Sequence, residues 1–433
     1  MKFAVYHPWV YLRGGAEKIL AELLERSAHD WTVYTHHHDA AATFDQLRGP
    51  AVVELEPRVS VRRSLGPLAH AASTMARTRI PHHGAQGLLV SSEGLGDLVL
   101  ARTDLPAVAY CHTPLKILHD PATRTALRER DPRKAAALKL LGGPFQQVDR
   151  ALWKRYRHVL VNSQEVRGRV LRGGLASAER VEVLRPGVHV ERFALTEEQL
   201  AELDMSRPVQ PMFLVAGRIM WQKNIELAID ALALARQHGA DARLVIAGAV
   251  DEKSQPYLAA LRARCGDLPV EFEVNPSNAR LTRLFQSAAA LLFTPPNEDW
   301  GIVPLEAMAA GTPVIAVNAG GPCESVLHGH TGWLLPNDAP AFAWQMHAVA
   351  ASAVGRPSEL IRMGEACRER AAEFTWDHFV SRLDEVMVAV AEQGRATPVS
   401  PTPRVGVHAQ TRASQSIAAR SSLPASAHVL AVG

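Results

Sequence analysis

At 433 residues the chain exceeds what one hydrophobic core comfortably serves, so two domains and an appendage are expected. Apolar content of 47% and charged content of 21% describe a soluble globular protein. The net charge is only +3, and the stretch from Gln393 to Gly433 holds four Arg and no acidic residue, so the rest is close to neutral; this excludes the strong basic field of a nucleic-acid-binding surface.

Lys2 to Tyr6 reads as a buried first strand. The loop after it carries Gly14 and Gly15 just before Ala16, Glu17 and Lys18, and Ile19, Leu20, Leu23 and Leu24 then recur at helical spacing. Two adjacent glycines at a strand-to-helix turn let the backbone approach a ligand, although a plain tight turn reads the same way. No GxGxxG follows a strand, so the dinucleotide fingerprint is missing. Trp31 to Thr35 makes a second strand and runs into His36, His37, His38 and Asp39. With no second ligand cluster at matching spacing, a solvated loop is expected there rather than a metal site. Between Val59 and Pro81, Arg62, Arg63, Arg77 and Arg79 stand among apolar residues; the pattern suits an ordinary exposed helix, or a face lying on an anionic membrane.

Leu88 to Ser91 and Ala107 to Tyr110 are two more short apolar strands. The second ends in Cys111, His112, Thr113 and Pro114, and a polar cluster past a strand's carboxyl end is where open α/β sheets place ligands. Arg124 to Arg157 reads as long, helical and basic, covering the sheet or facing a partner. Val159 to Val161 resumes the sheet, Asn162 and Ser163 cap a helix, and Val181 to Leu184 leads into Arg185, Pro186 and Gly187. The polar stretch from Leu195 to Pro211 reads as the linker between domains.

Met212 to Ala216 opens a second sheet. Gly217, Arg218, Lys223 and Asn224 occupy the turn before a helix from Ile225 to Gln237, and two cations at a helix start suit a diphosphate as well as plain surface charge. Arg243 to Ala247, Val270 to Phe272 and Leu291 to Thr294 are further strands. Gly332 to Leu335 is the last strand, followed by helices from Ala339 to Ala351 and Ser358 to Ala372. Trp376 to Val390 is an amphipathic helix that can pack back on the first domain, and the tail beyond it reads as disordered. Strand and helix alternate in both halves, so each should hold a mostly parallel sheet with helices on both faces.

Asn297 to Gly321 is where the chemistry is expected. Glu298 and Glu306 are separated by seven residues, and Pro304 between them marks a helix start, since proline is favoured at the first helical position. Val303 before it offers no side-chain cap, so the free N–H groups invite an anion. A glutamate at the third helical position, as Glu306 would be, also complements the helix dipole without any function. The helix should last two turns before Gly311 and Pro313 stop it and Val314 to Val317 begins a strand.

Four scattered cysteines without a CxxC pair fit a reduced compartment, and no run of about eighteen apolar residues exists to span a membrane. The N-terminal stretch turns straight into a strand without a long apolar signal core. A cytoplasmic protein is expected, with attachment at the inner membrane face left open.

Gly14-Gly15-Ala16-Glu17, Asn162-Ser163, Arg185-Pro186-Gly187-Val188, Gly217-Arg218 with Lys223-Asn224, and Glu298 to Glu306 together resemble the GT4 family of retaining glycosyltransferases over residues 1 to 390. The run TPPNEDWGIVPLEAMAAGTPVIAVNAGGPCES is similar to mannosyltransferases that extend lipid-linked oligosaccharide, and YCHTPLKILHD to bacterial polysaccharide members. The resemblance implies an α/β GT-B fold, two Rossmann-like doubly wound parallel-sheet domains facing a central cleft. Its parts would be an acceptor-side domain at 1–200, a nucleotide-sugar domain at 201–374, a returning helix at 375–392 and a basic tail at 393–433.

The resemblance further implies a nucleotide-sugar donor and a lipid-linked or saccharide acceptor. Arg218 and Lys223, beside Gly217, would bind the donor diphosphate and Glu306 the ribose hydroxyls. Glu298 and the backbone from Asp299 through Gly301, Ile302 and Val303 would meet the donor sugar. His112 would approach the sugar from the facing domain, and Gly14 and Gly15 would lie beneath the phosphates and acceptor. No Asp-x-Asp motif occurs, so no metal or other cofactor is expected, and cations and helix ends would neutralise the diphosphate. Mannose from GDP-mannose is the leading donor; a UDP-sugar donor, a sugar-nucleotide epimerase of the same plan and a non-catalytic binding subunit are the competing readings.

Overall fold

The computed structural model describes residues 1–61, 65–194, 210–355 and 357–396. The first lobe is built on a seven-stranded sheet of β1 (Lys2–Tyr6), β2 (Asp30–Thr35), β3 (Val52–Glu54), β4 (Leu88–Ser92), β5 (Ala107–Cys111), β6 (Tyr156–Val161) and β7 (Val181–Val183). Its helices are α1 (Gly15–Arg26), α2 (Leu65–Arg77), α3 (Lys116–His119), α4 (Pro121–Arg130), α5 (Pro132–Trp153) and α6 (Gln164–Arg172). The second lobe has a six-stranded sheet of β8 (Met212–Ala216), β9 (Arg243–Gly248), β10 (Val270–Val274), β11 (Ala290–Phe293), β12 (Val314–Val317) and β13 (Gly332–Leu335). Around it lie α7 (Ile225–Gln237), α8 (Gln255–Cys265), α9 (Asn278–Ser287), α10 (Ile302–Ala309), α11 (Pro322–Ser325), α12 (Ala339–Gly355) and α13 (Pro357–Ala372), and α14 (Trp376–Ala396) follows.

The strand orders are β3-β2-β1-β4-β5-β6-β7 and β10-β9-β8-β11-β12-β13, and the paired strands run parallel. Parallel sheets are covered on both faces, which is why their strands read as continuous apolar runs. In the first sheet the alternation of side chains divides two cores. Ala4, Tyr6, Leu88, Val90 and Val159 face a cluster that includes Met75 of α2 and Val166 and Val170 of α6. Phe3, Val5, Leu89, Val108 and Leu160 face the other, which takes Ile19, Leu20 and Leu23 from α1.

That second cluster also contains Trp376, Phe379, Leu383, Met387 and Val390 of α14, at helical spacing. The helix that follows the second lobe thus completes the core of the first. Each such side chain contributes about 1.5–3 kcal/mol through burial. The crossing is held by Val188, whose N–H donates to the Phe374 carbonyl over 2.9 Å. A Cβ on Gly187 would sit 2.3 Å from the Trp376 nitrogen, so the Arg-Pro-Gly-Val motif is where the returning chain lies directly on the first lobe.

Three expectations need correction. The single helix expected over Arg124 to Arg157 is divided at Asp131, whose backbone leaves the helical region as a residue preceding proline tends to, and Arg157 already lies in β6. β3 was not expected; a three-residue strand at the sheet edge carries too little pattern to register. The histidine run is no solvated loop: His36 is fully buried, its ring bonded to the Tyr6 hydroxyl at 2.9 Å and to Thr78 at 3.0 Å, and His38 Nε2 meets the Leu47 carbonyl at 2.8 Å.

Arg62 and Arg63, all but the last two residues of the expected linker, and the tail from residue 397 lie outside the described residues; Arg77 and Arg79 are exposed. Among the described residues no helix is long and apolar enough to cross a membrane.

Candidate functional site

Each sheet reverses its strand order at one point, between β1 and β4 in the first and between β8 and β11 in the second. Open α/β sheets take ligands outside the carboxyl ends of the strands at such a switch point. In the second sheet β8 runs into Gly217 and Arg218, and β11 runs into the loop that carries Glu298. The loop ends at Gly301, whose φ of +80° is open to glycine; a Cβ there would meet the Phe293 ring at 3.0 Å. Gly320 and Gly321 let a neighbouring turn lie on the loop, and the Gly321 N–H donates to the Glu298 carbonyl over 3.1 Å.

Gly301 is the N-cap of α10 and supplies no side-chain cap. The helix therefore begins at Ile302, two residues before the expected start at Pro304. Proline is accommodated there because the first four N–H groups of a helix lack intrahelical partners in any case. Glu306 accordingly sits in the fifth helical position and not the third, where the dipole explains it less well, since that effect fades beyond the first turn. The uncapped N–H groups remain as the sequence implies.

Lys223 Nζ lies 2.6 Å from Glu298 Oε2. The lysine is placed by its own carbonyl, which accepts from Thr294 Oγ1 over 2.7 Å, and by the left-handed turn at Asn224. Burial would raise the Glu298 carboxyl, but Lys223, with Lys116 and Arg218 beyond it, holds it below the ordinary range. Gly217 adopts φ +123° and lies against the Val303 side chain. Burial pushes Glu306 up to about 7, opposed by Arg192, whose Nη1 is 4.0 Å away, and by Lys18 and His189.

On the first lobe, Gly14 caps α1, again with no side-chain bond. A cavity of about 140 Å³ at this switch point is lined by His7, Gly14, Gly15, Glu17, Glu93 and, from the other lobe, Arg218. Burial raises the Glu17 carboxyl to about 8 in spite of its backbone N–H contact and Arg218. Ile302 at the start of α10 packs on the core to which α1 contributes. The structure so brings Gly14, Gly15 and Arg218 to one cavity, and Lys223, Glu298 and the start of α10 to one loop.

His112 stands at the carboxyl end of β5, with Nε2 bonded to Ser91 Oγ at 2.8 Å and Ser91 in turn bonded to His7 Nδ1 at 3.2 Å. Burial, then His7, lowers it to about 4, so its ring is neutral near pH 7. A larger cavity of about 870 Å³ lies apart, between α4 and α5, and none of the expected site residues lines it.

Sequence reasoning missed a polar bridge between the lobes. Lys116 Nζ reaches Asp299 Oδ1 at 2.9 Å and the Asn297 carbonyl at 3.2 Å, and Asn297 Nδ2 donates to Asp120 Oδ2 over 3.2 Å. Arg169 of α6 donates to both Asp299 and Asn297. Burial raises the Asp299 carboxyl even beside Lys116 and Arg169. A second bridge joins Glu324 of α11 to the N–H of Gln164 at 2.7 Å and to Arg185 at 2.6 Å, a carboxylate at the N-terminus of α6 where the dipole favours it. One signal was readable: Arg169 falls between Val166 and Val170 on the buried face of its helix, and a charge there requires a buried partner.

The chain matches two family descriptions, "Glycosyltransferase Family 4" over residues 13–192 and "Glycosyl transferases group 1" over residues 205–374. It is 29% identical over 430 residues to the alpha-1,3/1,6-mannosyltransferase alg-2 of Neurospora crassa, covering 86% of this chain and 88% of that one. It is 30% identical over 409 residues to the D-inositol 3-phosphate glycosyltransferase of Streptomyces bingchenggensis, covering 86% of this chain and 84% of that one. Among solved structures, Anabaena Alr3699/HepE in complex with UDP and glucose superposes with a TM-score of 0.67 at 20% identity, covering 90% of this chain and 100% of that one. WaaG, a glycosyltransferase involved in lipopolysaccharide biosynthesis, gives 0.63 at 16% identity over 89% and 99%. The two facing switch points and these two family regions coincide, and the chain belongs to the GT4 glycosyltransferases, with the GT-B fold.

Proposed function

We propose that this glycosyltransferase moves mannose from GDP-mannose onto a lipid-linked or polysaccharide acceptor, with retention and without a metal. The observation that carries the reading is the Lys223–Glu298 pair set before the uncapped start of α10, with Arg218 turned toward the uncapped start of α1. The choice of mannose is supported by relatives named alpha-1,3/1,6-mannosyltransferases, among them those of Neurospora crassa and Homo sapiens at 29% and 28% identity.

In this reading the bond between the sugar C1 and the diphosphate oxygen breaks, and the leaving oxygen gains negative charge. Arg218, Lys223 and the N-terminal dipoles of α1 and α10 stabilise that charge without reorganising at the moment of reaction. The acceptor hydroxyl oxygen bonds to C1 on the same face, and its proton passes to the leaving phosphate oxygen. Glu298 accepts hydrogen bonds from sugar hydroxyls, Glu306 from the ribose, and neutral His112 meets the sugar from the first lobe. Closing the lobes over the donor keeps out water that would hydrolyse it. The site of action is the cytoplasm, with peripheral contact at an anionic inner membrane face.

Calorimetry with GDP-mannose, UDP-glucose and ADP-glucose tests the donor. Binding of GDP-mannose above the others, with transfer that survives EDTA, is expected. Saturable binding of a UDP-sugar alone would overturn the donor assignment, and strict dependence on a divalent ion the metal-free one.

A further inference from the structure

Asn297, Glu298 and Asp299 are consecutive, yet their side chains serve opposite lobes. Asn297 and Asp299 reach the first lobe through Arg169, Lys116 and Asp120, while Glu298 turns to Lys223 of the second. Asn297 lies in a turn and Asp299 in a bend, with Glu298 between them. Anchoring the residues on both sides of Glu298 to the first lobe fixes the backbone that carries it, and with it the position from which its side chain reaches Lys223.

Arg169 makes both anchors. Its side chain is 1% exposed, and besides Asp299 and Asn297 it meets Glu165 Oε1 at 3.2 Å and Thr113 Oγ1 at 3.4 Å. Thr113 follows His112, so the same guanidinium ties the donor loop to the segment carrying that histidine. The planar fork of arginine presents separate nitrogens to the two side chains in fixed geometry, where a lysine offers a single point charge on a flexible stem. A buried charge of this kind is weak evidence for stability, because an apolar replacement often folds as well; a role in fixing geometry is the better-attested use. The lobes are joined independently by the Glu324 bridge and by α14, so their association does not rest on Arg169.

We infer that Arg169 is a positioning residue: from the first lobe it holds Asn297 and Asp299 so that Glu298 is set against the donor sugar. The inference rests on the proposed role of Glu298. Misplacement of a positioned group by about 1 Å costs about 100-fold in rate.

The test compares Arg169→Met, Arg169→Lys and Asp299→Asn, in the full chain, using the nucleotide-sugar that the wild type turns over. Arg169→Met should lower kcat about 100-fold and narrow the preference for that sugar over its C2 epimer, while affinity for the free nucleoside diphosphate stays within about twofold. Arg169→Lys should not restore the rate. Glu298→Ala should remove the same sugar preference, and combining it with Arg169→Met should add little further loss. Unchanged kcat and sugar preference in Arg169→Met would overturn the inference, as would a parallel loss of diphosphate affinity, which would mark a general structural role. If Arg169→Met does not fold, Asp299→Asn carries the same expectations and the same refutation. A Glu298→Ala variant with full sugar preference would instead sink the underlying role of Glu298.

Discussion

Lys223 and Glu298 form a 2.6 Å ion pair across the loop that leads into α10, and both side chains are half-buried. Two opposite charges poised at an uncapped helix start are partners for a ligand as much as for each other. The diphosphate would compete for the ammonium, and the sugar hydroxyls for the carboxylate.

Replacing Lys223 with Ala should therefore cost about 100- to 1000-fold in kcat, the loss typical of one preorganised donor removed from a developing anion. Arg218→Ala should behave alike, and because Arg218 is exposed its loss should leave the melting temperature unchanged. Near-normal turnover in either variant would remove that residue from the diphosphate site.

Glu306 gives a pH dependence of stated sign. Its carboxyl is raised to about 7, chiefly by burial, and the ionised form accepts hydroxyl hydrogen bonds at both oxygens more strongly than the neutral acid does. Donor affinity should thus fall as pH drops through about 7, with about one tenth of the enzyme in the ionised form at pH 6. Glu306→Gln should flatten the profile and bind the donor about tenfold more weakly at pH 8. A wild-type donor KM constant from pH 6 to 8 would contradict the ribose assignment.

Most of the fold was legible because parallel strands buried on both faces are continuous apolar runs. Met212–Ala216, Val314–Val317 and Gly332–Leu335 have the limits that the pattern implies. The start of α10 was misread because proline is a strong start signal, while the positive φ that frees Gly301 to cap leaves no mark in a sequence. Gly14, Gly15, Arg218, Lys223 and Glu298 could be placed at strand ends and helix starts because each of their motifs is local. The bridges through Arg169 and Glu324 were not readable, since they join residues more than a hundred positions apart, Arg169 to Asp299 and Glu324 to Arg185.

Gly187→Ala should destabilise the protein by about 1–3 kcal/mol, because a Cβ would sit 2.3 Å from the Trp376 nitrogen and 2.5 Å from the Thr375 carbonyl carbon, both backbone atoms. The strain falls where α14 begins, so hydrogen exchange should quicken first along Trp376 to Val390. An unshifted melting temperature would show that the crossing can relax.

Glu22 sets the acid limit of the fold. It is fully buried on α1, where it meets Lys18 at 2.5 Å, Arg26 at 2.7 Å and His189 at 2.7 Å. Burial alone would raise its carboxyl, but His189, Lys18 and Arg26 together lower it to about 2. A carboxyl depressed in the folded state stabilises above its unfolded value and loses that stabilisation as pH falls through its folded one. That stabilisation is present above about pH 4.5 and lost toward about pH 2. His189, raised by the same carboxylate, adds stability below its ordinary value that is lost as pH rises through its elevated one. Denaturant melts of Glu22→Gln should therefore show a lower midpoint at pH 7, and a shallower fall in stability between pH 4.5 and 3 than the wild type. Equal slopes over that range would show that other carboxylates govern the acid transition.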